Sequence, residues 1–591
     1  MSKPNSQQNN SKNNNSNLTA QSDKKNILIA GGGISGLTAA FELSEDPSLD
    51  ITIVESGASC GGKMIGYFNT DKQRFEEHSI RALSSTYFSL FNIFDRAGLL
   101  HMLTPVDDYQ FYQSGDGSFN YGNKDDVNKD DARAEKGKRV AIDRRAAIDL
   151  QTIESMIDTF DLNKKDMLQL VQRIVHHVNA SDEERAEMAF KKVGDLIGIE
   201  DFDTRTKQFI TNWFGILTGA RMHSKAVDIM DSFVLMFLPM TEAPILPAGA
   251  TSKSYCFNRP TSEVLETLVA ILKSRGVTII TQARVLNMHR QDNGKLSVDI
   301  SRTNISCTND NESNADEYDN LQQHFDAAVM ALPHEVLWKI GLLPQVKKPF
   351  NDEWSFGTQY PLTQMPDAFK PFLGKSYNLC FDAPWNIVFQ IQHRGGFWQD
   401  VEFPDSFDYN LSATCSSPFN KGALFGKRFM ECTPSEAKEE ILYQLGITDN
   451  KQRQAIAKGG IIDPINLRYV DDWQAYADIE TAEMGIVQDN GKRWVNLAQI
   501  YVRNADDALI DTQTHWDNVV VAGEIVSVAG RWKIPTMEQA ATSGKQAAQA
   551  LFTYLGSEKQ VSLETATLLH EGRYKYLDPL VMTLNKAANI L

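Results

Sequence analysis

A glycine-rich segment near the start of the chain has the spacing of a dinucleotide-binding turn. Residues 31–36 are GGGISG and fit the pattern G-x-G-x-x-G. In such a turn Gly31 permits the tight bend, and Gly33 lets the backbone approach a pyrophosphate. Gly36 lets the following helix pack closely on the strand. The pattern alone is weak evidence, because a glycine-rich turn without a ligand has the same letters.

The segments around the turn supply the context that the motif needs. The apolar run 26–30 predicts a buried parallel strand, and a helical pattern follows it. Ile34 and Ser35 open that helix, whose N-terminus would face the anion. A second strand, LDITIVE, ends at Glu55. A carboxylate at that position accepts hydrogen bonds from a ribose 2′-OH.

A second motif follows Glu55 directly. Six residues beyond this acid the chain reads Gly61-Gly62-Lys63. The extension E-x5-G-G-[RK] resembles the flavoprotein group that contains the amine oxidases and the phytoene-type desaturases. The resemblance implies FAD rather than NAD, with the diglycine close to the flavin side of the pyrophosphate. It also makes Ser56 and Lys63 candidates for cofactor contact.

A third motif lies near the other end of the chain. The segment 518–551 resembles the C-terminal flavin motif of the same group. The resemblance implies a Gly-Glu pair beside the ribityl–pyrophosphate and a slim helix whose N-terminus faces the flavin. The residues concerned are Gly523, Glu524, Thr536, Met537 and Ala540. No cysteine follows Cys432, so the resemblance predicts non-covalent FAD.

The middle of the chain adds weaker similarities, and the resemblance as a whole spans about residues 26–555. FEEHSIRAL contains Arg81, which either touches the cofactor or forms a surface ion pair. The strand QARV would hold the adenine by its backbone near Val285. The catalytic residue stays unknown, with Lys533, Arg81 and His78 as weak candidates. A solvated loop lysine is the simpler interpretation of Lys533.

These motifs predict an α/β fold, a two-domain flavoprotein with a Rossmann-like FAD-binding domain and an interleaved mixed α+β substrate-binding domain. The expected division is a disordered tail at 1–25, an FAD-binding domain at 26–105, 251–335 and 496–556, a substrate domain at 106–250 and 336–495, and a helical tail at 557–591. The alternating segment 384–398 either lines an apolar pocket or belongs to an ordinary core.

The predicted function is FAD-dependent dehydrogenation of a hydrophobic small molecule by desaturase-like C–C or C–N oxidation. One alternative is an amine or cyclic-imine oxidase that uses oxygen, for example in dihydropyrrole aromatisation. Two further alternatives are a non-catalytic flavin-binding protein and an NAD-linked dehydrogenase. Oxygen or a quinone would accept the electrons.

Composition limits the partners. The 59 Lys and Arg against 76 Asp and Glu give a net charge of −17, which disfavours nucleic acid. No metal-binding spacing occurs among the 6 cysteines, which predicts reduced thiols and a cytoplasmic protein. The sequence predicts no transmembrane helix. Peripheral membrane contact and a homodimer stay open.

Overall fold

The computed structural model describes residues 24–77, 81–106, 108–114, 139–143, 150–237, 254–302, 320–342, 354–375, 377–393, 396, 398, 406–476, 483–497, 502–507 and 510–563. The predictions for His78, for most of the N-terminal tail and for residues 564–591 lie outside these ranges.

The strands are β1 (Lys25–Ala30), β2 (Leu49–Val54), β3 (Gly66–Asn69), β4 (Arg74–Glu77), β5 (Leu83–Ser84), β6 (Leu103–Val106), β7 (Asp108–Tyr112), β8 (Arg139–Asp143), β9 (Ser254–Phe257), β10 (Thr278–Ile280), β11 (Ala283–Arg290), β12 (Leu296–Arg302), β13 (Asn320–Phe325), β14 (Ala327–Met330), β15 (Phe356–Leu362), β16 (Tyr377–Cys380), β17 (Ile387–His393), β18 (Tyr409–Cys415), β19 (Ile461–Ile462), β20 (Leu467–Val470), β21 (Glu483–Met484), β22 (Arg493–Asn496) and β23 (Val519–Val521).

The α-helices are α1 (Ile34–Leu43), α2 (Phe88–Arg96), α3 (Leu150–Phe160), α4 (Lys164–Asn179), α5 (Asp182–Met188), α6 (Val193–Ile197), α7 (Thr204–Thr218), α8 (Ala226–Phe237), α9 (Thr261–Ser274), α10 (His334–Lys339), α11 (Pro434–Gln444), α12 (Asn450–Gly459) and α13 (Met537–Tyr554). None of the helices in the described ranges is long and apolar enough to cross a bilayer.

A five-stranded parallel sheet in the order β10-β2-β1-β14-β23 is built from segments far apart in the chain. Successive side chains of a strand point to opposite faces. Ile27 and Ile29 therefore lie in one core with α1 and α13. Leu28 and Ala30 lie in a second core with the antiparallel sheet β11-β12-β13. Because both faces are covered, the central strand β1 is apolar and buried from Ile27 to Ala30, as the sequence indicated.

A seven-stranded mixed sheet has the order β19-β15-β18-β17-β16-β7-β8. Helices α11 and α12 cover one of its faces. The apolar side chains of β17, namely Ile387, Phe389 and Ile391, all lie in this covered core. The alternation in segment 384–398 therefore comes from an ordinary core, and these three side chains do not line an apolar pocket.

Candidate functional site

The structural reason for a glycine differs among the three motif positions of the 31–36 turn. Gly31 has φ +98°, and a Cβ there would lie 2.2 Å from the Ala331 oxygen. A Cβ on Gly36 would lie 2.0 Å from the Gly31 oxygen. A Cβ on Gly33 would meet only the Gly62 Cα, at 3.8 Å, and its φ of −72° suits any residue. Packing within the protein therefore explains Gly31 and Gly36, whereas the space at Gly33 fits a ligand that passes close to the backbone.

The N-terminus of α1 opens onto this space. Gly33 is its N-cap residue and no side chain caps the helix there, so the first N–H groups, from Ile34 and Ser35 onward, can receive an anion. The diglycine segment runs alongside, because Gly61 N donates to Gly32 O at 2.8 Å. The first two motifs thus form one cradle, and their residues fit the pyrophosphate of a dinucleotide.

Glu55 stands at the end of β2 beside the same turn. Its Oε2 accepts the Gly32 N–H at 2.7 Å and its Oε1 accepts the Gly57 N–H at 2.6 Å. Ser56 is exposed, and its hydroxyl lies 3.3 Å from Glu55 Oε1. Val285 buries its side chain between the sheets, which leaves only its backbone for a ligand.

The third motif meets the first two despite its distance in sequence. Lys63 Nζ lies 2.5 Å and 2.6 Å from the two carboxylate oxygens of Glu524, 461 residues away. The Gly523 N–H donates to Ser543 Oγ at 3.0 Å, and Gln539 Nε2 donates to Gly523 O at 2.8 Å. Helix α13 therefore fixes the peptide of Gly523.

Helix α13 begins where the resemblance placed it. Thr536 caps its N-terminus, and Met537 and Ala540 pack against the α1 core. A Cβ on Gly544 would lie 2.3 Å from the Ser35 oxygen. The glycine at 544 therefore allows close packing of α13 on α1.

Arg81 is partly buried beside the diglycine segment. Its guanidinium donates to Lys63 O at 2.8 Å, and its own carbonyl accepts the Tyr377 hydroxyl. Burial lowers the pKa of Arg81, and the neighbouring Glu77 and Asp463 oppose that shift. Arg81 therefore links the diglycine segment to Tyr377 of β16 and stabilises it.

Lys533 is not the solvated loop lysine that the simpler interpretation supposed. Burial lowers the pKa of its ammonium group, and the nearby Asp228 and Asp231 oppose the shift. Asp231 accepts from His177 Nε2 at 2.8 Å and Arg185 at 2.5 Å, and lies 3.5 Å from Arg531. This buried network anchors the segment that leads into α13.

His334 and Glu335 lie at the candidate site, and the motifs in the sequence did not indicate either residue. His334 Nδ1 lies 4.0 Å from Glu524 Oε1, and its Nε2 lies 3.1 Å from Glu335 Oε1. Burial raises the pKa of Glu335 to about 7, helped by Glu524. Both residues open α10, which is separated from the end of β14 by three residues, and the carboxyl ends of parallel strands share one edge. Their position just after an apolar strand was the signal in the sequence that could have indicated these two residues.

The parallel sheet, the glycine turn at the end of β1 and the converging motifs define a dinucleotide-binding oxidoreductase of the flavoprotein class. The sequence profile described as flavin containing amine oxidoreductase matches residues 34–360, more than half of the chain. The chain therefore belongs to that family, and it is an FAD-dependent oxidoreductase.

Solved structures agree at the level of fold. A putrescine oxidase bound to putrescine is 12% identical with a TM-score of 0.51, covering 90% of this chain and 99% of that one. A protein from Exiguobacterium sp. 255-15, provisionally named a protoporphyrinogen oxidase, is 14% identical with a TM-score of 0.50 and covers 90% and 99%. A comparison with curated protein sequences finds no significant match.

Proposed function

We propose that this enzyme dehydrogenates a small organic substrate at a carbon–hydrogen bond, with FAD held non-covalently between the glycine turn and α13. When bound, FAD supplies the hydride acceptor. The observation that carries the proposal is the ion pair between Lys63 Nζ and Glu524 Oε1 at 2.5 Å. This ion pair joins the diglycine motif and the C-terminal motif in one cradle. Oxygen or a quinone would take the electrons onward.

The proposal assigns each residue of the cradle a binding task. The N-terminus of α1 receives the pyrophosphate, and Gly33 leaves room for it. Glu55 would accept the ribose hydroxyls with its remaining acceptor positions while it holds the Gly32 and Gly57 N–H groups. Lys63 and Glu524 border the flavin side of the pyrophosphate. His334 and Glu335 can hold or move a proton at that border.

The two proposed domains correspond to the two large sheets. Segments 26–105, 251–335 and 496–556 would form the FAD-binding domain around the parallel sheet. Segments 106–250 and 336–495 would form the substrate domain around the seven-stranded sheet. Attachment to a membrane and self-association are not needed for this arrangement.

The first experiment is an absorption spectrum, which tests whether the protein binds flavin non-covalently. The purified protein should show flavin bands that appear in the supernatant after acid precipitation, because no covalent link is proposed. Anaerobic mixing with candidate substrates should then bleach the long-wavelength band. A protein that stays colourless after incubation with FAD would refute the proposal.

The second candidate is C–N oxidation of an amine or cyclic imine, rather than C–C desaturation of a lipid-like molecule. It is favoured by buried amide side chains on the seven-stranded sheet, which suit a polar substrate better than a hydrocarbon. Hydrogen peroxide release with an amine would support it, and quinone-dependent turnover of a polyene would support desaturation.

A further inference from the structure

The face of the seven-stranded sheet that α11 and α12 leave uncovered carries buried polar side chains on its central strands. Side chains alternate between faces, so the residues opposite the apolar core share this second face. They are Gln359 at 3%, Ser412 at 2%, Gln390 at 4%, Gln392 at 3% and Asn410 at 6% exposure. We call these five residues the amide face.

Strand pairing places two of its glutamines in one row. Gln359 of β15 is paired with Ser412 of β18, and Ser412 is paired with Gln390 of β17. Neighbouring strands are separated by ~4.8 Å, so the two glutamine Cα atoms lie about 10 Å apart with side chains pointing the same way. This separation suits a small molecule held between two side-chain amides.

Both glutamines have a partner for the amide oxygen, whereas neither amide nitrogen has a strong acceptor. Gln359 Oε1 accepts the Glu77 N–H at 3.4 Å, and Gln390 Oε1 accepts from Gln392 Nε2 at 3.5 Å. Within the described ranges Gln359 Nε2 donates to no acceptor, and Gln390 Nε2 meets the thiol of Cys256, which is a weak acceptor. A buried donor without a strong acceptor is unfavourable, so the two in one row suit an acceptor supplied from outside the protein.

The amide face adjoins the FAD-binding half. Glu77, whose N–H holds Gln359, precedes the segment that leads to Arg81. Tyr377 of β16, the strand next to β17, donates its hydroxyl to the Arg81 carbonyl, and Arg81 in turn holds Lys63. The row therefore lies on the side of the sheet that faces the cradle.

Two neighbours of the row do not present a charged group to it. The Glu77 carboxylate accepts the Thr261 N–H at 2.6 Å. Cys256 lies against Gln390, and burial raises the pKa of its thiol to about 12, so the thiol stays neutral. A neutral carbonyl oxygen matches the two amide donors.

We propose that Gln359 and Gln390 bind carbonyl oxygens on the non-reacting part of the substrate, which makes the substrate an uncharged amide, lactam or ester at that end. This inference rests on the proposed function and narrows its substrate class. A polyene hydrocarbon would leave both donors unpaired.

Variants separate a ligand site from a structural role. Gln359→Met and Gln390→Met each remove a poorly paired donor together with one long hydrogen bond, at 3.4 Å and 3.5 Å, so their unfolding midpoints should fall less than that of a variant at a glutamine with close partners on both amide atoms. The control is Gln444→Met, equally buried at 3%. Gln444 accepts the Trp385 N–H at 3.0 Å and donates to Glu440 at 2.9 Å, so this control should lower the midpoint.

Binding to the flavin-loaded protein tests the substrate class by ligand-observed NMR. The probes are benzamide, 2-piperidinone and N-acetylbenzylamine, paired with toluene, cyclohexane and propylbenzene. At least one amide should bind about tenfold more tightly than its hydrocarbon partner, and each glutamine variant should abolish that preference. Gln444→Met should retain it.

Two results would overturn the inference: no amide preference in the wild type, or a preference that survives either of the glutamine variants. A protein that carries flavin and is reduced by a substrate, but shows no amide preference, would keep the proposed function and reject this inference. A protein that cannot bind FAD would reject the proposed function itself, whatever the probes do.

Discussion

The carboxylate of Glu538 accepts the backbone N–H of Ser89 at 2.9 Å, and it accepts that of Leu90 at the same distance. Glu538 is the second residue of α13, and the two N–H groups belong to the first turn of α2. One helix of the C-terminal flavin motif thereby caps a helix 449 residues earlier. The carboxylate suits the positive end of the α2 dipole.

The first prediction concerns pH. Burial raises the pKa of Glu538 to about 7 from 4.5, so the folded protein retains this proton when the unfolded chain has lost it. The contribution to stability is complete below pH 4.5 and is lost as pH rises to 7, by up to about 3 kcal/mol. Glu335 acts in the same direction. Urea unfolding between pH 5 and 8 should show a smaller decline for Glu538→Gln than for wild type.

The matched control is Glu431→Gln. The hydrogen-bonded Arg428 lowers the pKa of Glu431, so its charge does not change between pH 5 and 8 and the variant should follow the wild-type slope. If Glu538→Gln also follows that slope, the two N–H donors keep Glu538 ionised and the predicted linkage is wrong.

The second prediction separates two glycines of one motif. Gly33→Val should fold without FAD to within about 1 kcal/mol of wild type, because its Cβ has open space and only a helix N-cap changes. It should nevertheless purify without flavin, since the side chain fills the pyrophosphate path. Gly36→Val should fail to fold, because its Cβ would lie 2.0 Å from a backbone oxygen. Full flavin content in Gly33→Val would remove the turn from the site.

The sequence predicted the strands and helices of the parallel sheet because their patterns are local. Strand β1, Glu55 at the end of β2, and helix α13 all lie where the motifs placed them. The approach of Lys63 to Glu524 followed only from family resemblance. It depends on strand order in the sheet, and no local pattern encodes that order.

Interactions between distant side chains had no local signal in the sequence. The role of Glu538 as a cap for α2 depends on helix packing. The amide face was hidden because β17 alternates apolar and polar residues, and alternation alone does not say which face meets a core and which meets a ligand. Lys533 was misjudged for the same reason, since its burial and its proximity to Asp228 and Asp231 of α8 arise from tertiary packing.

The third prediction concerns Glu55. Glu55→Ala should weaken FAD binding by about 1–3 kcal/mol, because a charge-assisted hydrogen bond to the ribose is lost. The loop should also loosen, since Gly32 and Gly57 lose their acceptor. Glu55→Gln keeps an oxygen for one of them and should show a smaller loss. Fluorescence titration of the apoprotein with FAD measures both. Unchanged affinity in Glu55→Ala would exclude the residue from the ribose site.

The last prediction concerns the buried charges around Asp231, which is fully buried between His177 and Arg185. Asp231→Asn should lower the free energy of unfolding by about 3–5 kcal/mol, because Arg185 keeps its charge without a counter-ion. Flavin content should fall with it, since Asp231 also holds Arg531 ahead of α13. Asp367→Asn, at an exposed pair with Lys370, should change neither quantity. Normal stability with lost flavin would mean that the network orders only the segment before α13 and does not support the fold.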